Sequence, residues 1–142
     1  MTQDELKLLE GAGYSQKVID LYANRVNVGS IVNHDAALAY TGPCGDTIKL
    51  YLKIDRDDVI EDAKFQYLGC PASAACGSVL TQMVKGKTLQ AANKITEKDV
   101  LTELDSLPTH ECHCAELAVT ALYKTIMKFE ESKKDSAKRA SS

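Results

Sequence analysis

The middle of the chain alternates strictly. In "DTIKLYLKID", Ile48, Leu50, Leu52 and Ile54 fall on one face, with Lys49, Tyr51 and Lys53 on the other. This is the period of a strand with one buried side. "EDAKFQYLG" continues the pattern with Ala63, Phe65 and Tyr67, and "AALAYTG" precedes it as a shorter strand. "DRDD" between the longer two suits a hairpin turn, so the three read as an antiparallel meander covered on one face.

Upstream, "GAGY" separates a short acidic amphipathic opening from "SQKVIDLYAN". The latter is a helix pattern, with Ser15 as N-cap and Val18, Ile19 and Tyr22 on one side. After Cys70 the period changes. Ala72, Ala75, Cys76, Val79, Leu80 and Met83 form a helix stripe that Gly86 closes. "KTLQAANKI" and "TEKDVLTELD" read as two shorter helices, the second capped by Thr96. Pro108 breaks the chain. From about Cys112 a long helix carries Cys114, Leu117, Ala118, Ala121, Leu122, Ile126 and Phe129 on one face. Strands and helices segregate, so the expected class is α+β: an N-terminal helix, a three-stranded antiparallel sheet, helices packed on one face and a long C-terminal helix. The end, "ESKKDSAKRASS", is small, polar and mixed in charge. The expected division is an extension over 1–13, one domain over 14–131 and a disordered polar tail over 132–142.

Composition narrows the classes. The 142 residues are 44% hydrophobic and 26% charged, the proportions of one ordinary globular domain. A net charge of −3 argues against nucleic acid and anionic membrane surfaces as partners. No apolar run approaches the roughly 20 residues of a membrane span. "MTQDELKLLEGAG" begins with acidic residues and has no basic segment leading an apolar one, so it is not read as a secretory signal. A cytoplasmic, thiol-reducing location is expected.

That location changes the meaning of five cysteines: Cys44, Cys70, Cys76, Cys112 and Cys114. An odd number in a reducing compartment speaks for metal binding or thiol chemistry over disulfides. Cys44 lies in "GPCGD", where Gly42 and Gly45 allow a tight bend. Cys70 lies in "LGCPASA", with Pro71 suited to the first helical position; a helix N-terminus would stabilise its thiolate. Cys114 opens the last helix with the same expected benefit. These three sit at the ends of elements, where ligands can converge. Cys76 falls on the apolar stripe and reads as a buried core thiol. Cys112, two residues from Cys114, would point to nearly the opposite side of a regular helix but reaches the same site from an unwound first turn. Three thiolates favour a soft metal, zinc or iron in a sulfur cluster. Asp46 and His113 are the local candidates for a further ligand, each a poorer match to cluster iron than thiolate.

With these residues placed, the chain resembles the NifU/IscU-type iron–sulfur cluster assembly scaffolds. The resemblance spans about Tyr14 to Phe129 and rests on "YSQKVIDLYAN", "NVG", "PCGD", "GCPASAACGSVLTQMVKGKT" and the His113–Cys114 pair. The SufU-like, zinc-containing branch carries an insertion between the second and third cysteines that this chain lacks, so the chain looks like the cluster-building branch.

The resemblance implies a set of roles. Cys44, Cys70 and Cys114 match the scaffold cysteines, Asp46 the aspartate that ligates and keeps the cluster labile, and His113 the histidine beside the last cysteine. Cys114 and Cys70 are the candidates for accepting sulfur as a persulfide. The implied function is assembly of a labile [2Fe–2S] cluster from Fe2+ and persulfide sulfur, with Zn2+ able to occupy the same ligands. The implied partners are a cysteine desulfurase, an electron donor such as ferredoxin and iron–sulfur acceptor proteins, with a homodimer in keeping. Such a protein is a scaffold and not an enzyme with turnover of its own. The alternative is a SufU-like, zinc-dependent sulfur-transfer protein. A third reading, from another class, is a structural metal or redox-sensing module built on Cys112 and Cys114.

The departures are specific. Where the family has a "Leu-Pro-Pro-Val-Lys"-like docking segment for an Hsp70-type chaperone, this chain has "LPTHE", with Glu111 at the lysine's place. Chaperone-assisted release thereby loses its support. The first helix reads "DLYANRVN" in place of "DHY…NPRN", and Cys112 stands where an apolar residue is usual. Cys112 is therefore a further candidate for the fourth ligand, beside Asp46 and His113.

Overall fold

A computed structural model describes residues 2–105, 107–108 and 113–141, the side chains of 136–141 excepted. Its order is α1 (Gln3–Gly11), α2 (Gln16–Ala23), β1 (Ala36–Thr41), β2 (Thr47–Ile54), β3 (Ile60–Leu68), α3 (Pro71–Val84), α4 (Leu89–Ala92), α5 (Glu97–Glu103) and α6 (His113–Ser141). The strands form an antiparallel sheet in the order β1-β2-β3. The alternation in β2 is realised: Ile48, Leu50, Leu52 and Ile54 are buried. Tyr51 departs from it, buried on the opposite face. The His34 ring meets it edge-on, and its hydroxyl donates to Gln66 at 2.8 Å.

Both long helices cover the core face. α6 packs on β1 and β2, while α3 lies against β3, α2 and α6. Surrounded on several sides, α3 is buried well beyond its apolar stripe, including Ser73, Ser78 and Thr81. Their hydroxyls are satisfied: Ser78 donates to the Val26 carbonyl at 2.8 Å, and Asn27 Nδ2 donates to Thr81 at 3.0 Å. Buried polar groups require such partners. Cys76 is fully buried on this helix, as a core thiol.

The shorter helices show where periodicity overreaches. "KTLQAANKI" yields only Leu89–Ala92. Lys87 and Thr88 are taken up by pairing with the start of β3, through the Ile60 N–H to the Lys87 carbonyl and a bridge between Val59 and Thr88. Asn93 then ends the helix before Thr96 begins α5 with a capping box to Asp99. In α2, Leu21 is buried with Val18 and Ile19, while Tyr22 is half-buried. α1 buries no residue and leans on α2. α6 continues as helical backbone to Ser141, through the stretch read as a polar tail; Lys133 pairs with Asp58 at 2.9 Å. No helix among the described residues is long and apolar enough to cross a membrane.

Ser15 tests the local logic. Its hydroxyl oxygen accepts from the Val18 N–H at 3.2 Å and donates to the carbonyl of buried Leu104 at 2.6 Å. Ser15→Ala removes a cap and strands that carbonyl, at an expected cost of about 1–2 kcal/mol. Urea unfolding should show a lower midpoint with an unchanged slope.

Candidate metal centre

Three chain segments meet at one end of the sheet. The first is the β1–β2 connection. Gly45 N–H donates to the Gly42 carbonyl at 3.0 Å and Gly42 N–H to the Asp46 carbonyl at 2.9 Å. Gly45 has φ +92°, a left-handed conformation that glycine adopts without cost. The turn leaves Cys44 exposed at its tip and Asp46 at its foot. The second segment is the β3–α3 junction. Thr47 pairs with Leu68, so Asp46 is carried beside Gly69 and Cys70. Cys70 is the N-cap of α3 and Pro71 its first residue. The third is the start of α6, where His113 is exposed and Cys114 fully buried.

The side chains converge. Cys70 Sγ lies 3.7 Å from Cys114 Sγ and 3.5 Å from Asp46 Oδ2. Asp46, Cys70 and Cys114 form one triple whose ligand atoms all lie within 4.8 Å of one another, and Cys44, Asp46 and His113 form a second. Asp46 belongs to both, with half-buried Cys70 and buried Cys114 on one side and exposed Cys44 and His113 on the other. A cleft lined by Tyr40, Gly42, Pro43, Cys44, His113, Glu116 and Leu117 opens on the exposed side.

Electrostatics separates the members. The Ser73 hydroxyl, above all, holds the Asp46 carboxyl below its ordinary range; the Cys70 thiol and N–H and the nearby His113 act the same way, and partial burial opposes them. Asp46 is therefore a carboxylate at neutral pH, ready to accept a cation. Cys114 moves the other way. Its contact with the Cys70 thiol, then burial, push it well above the ordinary thiol range, with Ser73 opposing. The expected stabilisation of a Cys114 thiolate by the helix N-terminus is thus outweighed: two sulfurs this close, one of them fully buried, resist carrying charge together. Deprotonation of Cys114 then goes with arrival of a cation, as metal–thiolate bonds form with proton release.

Five of the residues singled out in the sequence are brought together: Cys44, Asp46, Cys70, His113 and Cys114. Cys112 lies outside the described residues, as do Thr109, His110 and Glu111 of the altered docking segment. Two residues were missed. Ser73 is fully buried, and its hydroxyl donates to Asp46 Oδ2 at 2.6 Å while lying 3.6 Å from Cys70 Sγ and 3.4 Å from Cys114 Sγ. Its signal was the spacing: three residues after an N-cap cysteine lies on the same side of the first turn. Gly69 was the other. A Cβ added there would stand 2.6 Å from Asp46 Cγ, so only glycine admits the carboxylate.

The donor set of three thiols, a carboxylate and an imidazole fits a soft or borderline metal. Thiolates select zinc and iron–sulfur units, and oxygen and imidazole complete such sets.

Comparison with known proteins agrees with this chemistry. The family model for the NifU-like N terminal domain matches residues 13–136. The chain is 43% identical over 117 residues to iron-sulfur cluster assembly scaffold protein IscU 1 of Archaeoglobus fulgidus, covering 82% of this chain and 76% of that one. It is 41% identical to the IscU scaffold of Escherichia coli K12, covering 80% and 91%, and 39% identical to that of Rickettsia prowazekii, covering 87% and 98%. Among solved structures, a putative SufU scaffold from Fervidobacterium islandicum superposes with a TM-score of 0.67 at 24% identity, covering 80% of this chain and 96% of that one. A NifU-like protein from Brucella abortus gives 0.65 at 21%, covering 82% and 94%. These two likenesses establish the fold. With a family model spanning most of its length and relatives near 40% identity, the chain belongs to the NifU-like N-terminal domain family.

Proposed function

We propose that this protein is a scaffold on which a labile [2Fe–2S] cluster is built and from which it is passed to acceptor proteins. The observation that carries the reading is the meeting of Cys44, Cys70 and Cys114, from three separate segments, around a single carboxylate, Asp46. Its relatives named as cluster assembly scaffolds support it.

The chemistry divides among these residues. Sulfur arrives as the persulfide of a cysteine desulfurase. A thiolate of this site attacks the outer sulfur, the donor's S–S bond breaks, and the desulfurase leaves as its thiolate. Cys70 and Cys114 are the candidate acceptors. Cys70 is half-buried at the rim and Cys114 lies beneath it, so Cys70 is the more accessible of the two. Reducing two persulfide sulfurs to sulfide takes four electrons. Two come from oxidation of two ferrous ions, and two from an electron donor of the ferredoxin kind. Three thiolates grip the product firmly, while a carboxylate or imidazole in the fourth place binds iron less strongly and leaves an opening for transfer. The protein then acts as acceptor and carrier without turnover of its own.

Anaerobic reconstitution with ferrous iron, sulfide and reductant is expected to give the absorption and Mössbauer spectra of a [2Fe–2S] centre. Cys44→Ala, Cys70→Ala and Cys114→Ala should each lose most of it; retention of full cluster by all three would overturn the reading. The same donors suit tetrahedral zinc. Stable zinc with persulfide uptake, and no cluster under these conditions, would establish instead a zinc-dependent sulfur-transfer protein.

A further inference from the structure

We infer that Ser73 is a positioning residue for Asp46, setting how tightly the site holds a metal. The inference rests on the reading of this cluster of side chains as a metal centre. Asp46 sits on a hairpin turn, and neither backbone hydrogen bond of that turn involves its side chain. The hold on its carboxylate comes from α3: the Ser73 hydroxyl at 2.6 Å, the Cys70 thiol at 3.5 Å and the Cys70 N–H. Of these, the Cys70 thiol is itself a metal ligand in the proposed site and loses its proton on binding. Ser73 is not needed as a ligand and keeps its proton throughout.

Three facts make the hydroxyl a fixed donor. Ser73 is fully buried, so solvent does not compete for it. It lies inside α3, at the third position after the N-cap, so helical backbone fixes its Cα. Its oxygen contacts Asp46 Oδ2, Cys70 Sγ and Cys114 Sγ at once. From one place the hydroxyl can donate to the carboxylate or to the Cys114 sulfur. A short bond to a carboxylate is the stronger of the two, so Asp46 is held over Cys70 and Cys114. Hydrogen-bond partners that orient ligands in this way typically change metal affinity by about 10–100-fold.

Cobalt(II) titration of the apo protein, read by its ligand-field and thiolate charge-transfer bands, is the test. Wild type is expected to bind with strong thiolate bands. Their absence would remove the metal-centre reading itself and leave Ser73 with nothing to position. Ser73→Ala should bind roughly 10-fold more weakly, with charge-transfer intensity per cobalt unchanged, because the thiolates still ligate. Asp46→Ala should lose a similar factor. In the Asp46→Ala background, Ser73→Ala should then cost less than twofold. Far-ultraviolet circular dichroism and the thermal midpoint of the apo variants confirm folding. Unchanged affinity in Ser73→Ala overturns the inference. So does a loss as large in the Asp46→Ala background as in wild type, or a fall in charge-transfer intensity, since each would mean that Ser73 acts on the thiols or on packing.

Discussion

Gly69→Ala is expected to fold and to lose roughly 10–100-fold in zinc affinity, measured by competition with a chromophoric chelator. An added Cβ would stand 2.6 Å from Asp46 Cγ, 2.7 Å from Oδ2 and 3.1 Å from Cβ. Asp46 cannot yield by a small torsional shift, because its own Cβ is among the crowded atoms. It must rotate away, breaking its hydrogen bond to Ser73, or the β3–α3 junction must move and carry Cys70 with it. Either change opens the triple of Asp46, Cys70 and Cys114. Stability should fall too, by about 1 kcal/mol, because Gly69 holds φ +159°, a conformation that residues with a side chain rarely adopt; its exposed place at the end of β3, outside the core, keeps the loss from being larger. Gly11→Ala is the control: nothing lies within 4 Å of a Cβ there, and zinc affinity should match wild type. Wild-type affinity in Gly69→Ala would show that the carboxylate's place against Cys70 is not needed for binding.

Gly77→Ala is expected to be the costlier change for the fold. Two effects compete. Alanine is favoured over glycine inside a helix by about 1 kcal/mol. Against this, an added Cβ would bring three ring atoms of Phe65 within 2.8 Å. Phe65 is fully buried between the sheet and α3 and has no solvent to move into. Overpacking of this kind costs typically 1–3 kcal/mol, which outweighs or cancels the helix preference; with its three nearest atoms all in one buried ring, this site lies toward the upper end. A net loss of about 1–2 kcal/mol should lower the thermal midpoint by several degrees. An unchanged or raised midpoint would mean that α3 and β3 separate at little cost. Because α3 carries Cys70 and Ser73 at its N-terminus, any such shift should also appear in metal affinity.

Much of this architecture could be read from the chain. Periodicity located the three strands, and the hairpin connections set their antiparallel order, since short links leave neighbours few alternatives. The helix caps at Ser15 and Thr96 were legible because a hydroxyl at the N-cap satisfies a backbone donor that the helix cannot. What periodicity misjudged were places where distant segments intervene. Tyr51 is covered by His34 and Gln66 on a face that looked polar. Lys87 and Thr88 pair with β3 and shorten the helix expected from "KTLQAANKI". Thr81, polar by type, is buried with its hydroxyl satisfied because Asn27 reaches it from the α2–β1 connection.

The same division runs through the site. The sequence alone determined which residues are the candidate ligands: three cysteines at element ends, Asp46 two places after the first, and His113 beside the last. These follow from residue type and local position, which the chain encodes directly. Tertiary structure decided how they act together. It put Cys70 against Cys114 and so drove the Cys114 thiol toward its protonated form, opposite to what a helix N-terminus alone would do. It made Asp46 common to two triples, one with Cys70 and buried Cys114 and one with exposed Cys44 and His113. It also placed Ser73 and Gly69, a polar core residue and a strand-end glycine by sequence, on either side of that carboxylate. The physical reason is range. Capping and alternation are set within a few residues, whereas a pKa and a ligand's orientation depend on groups a few ångströms away in space and tens of residues apart in the chain.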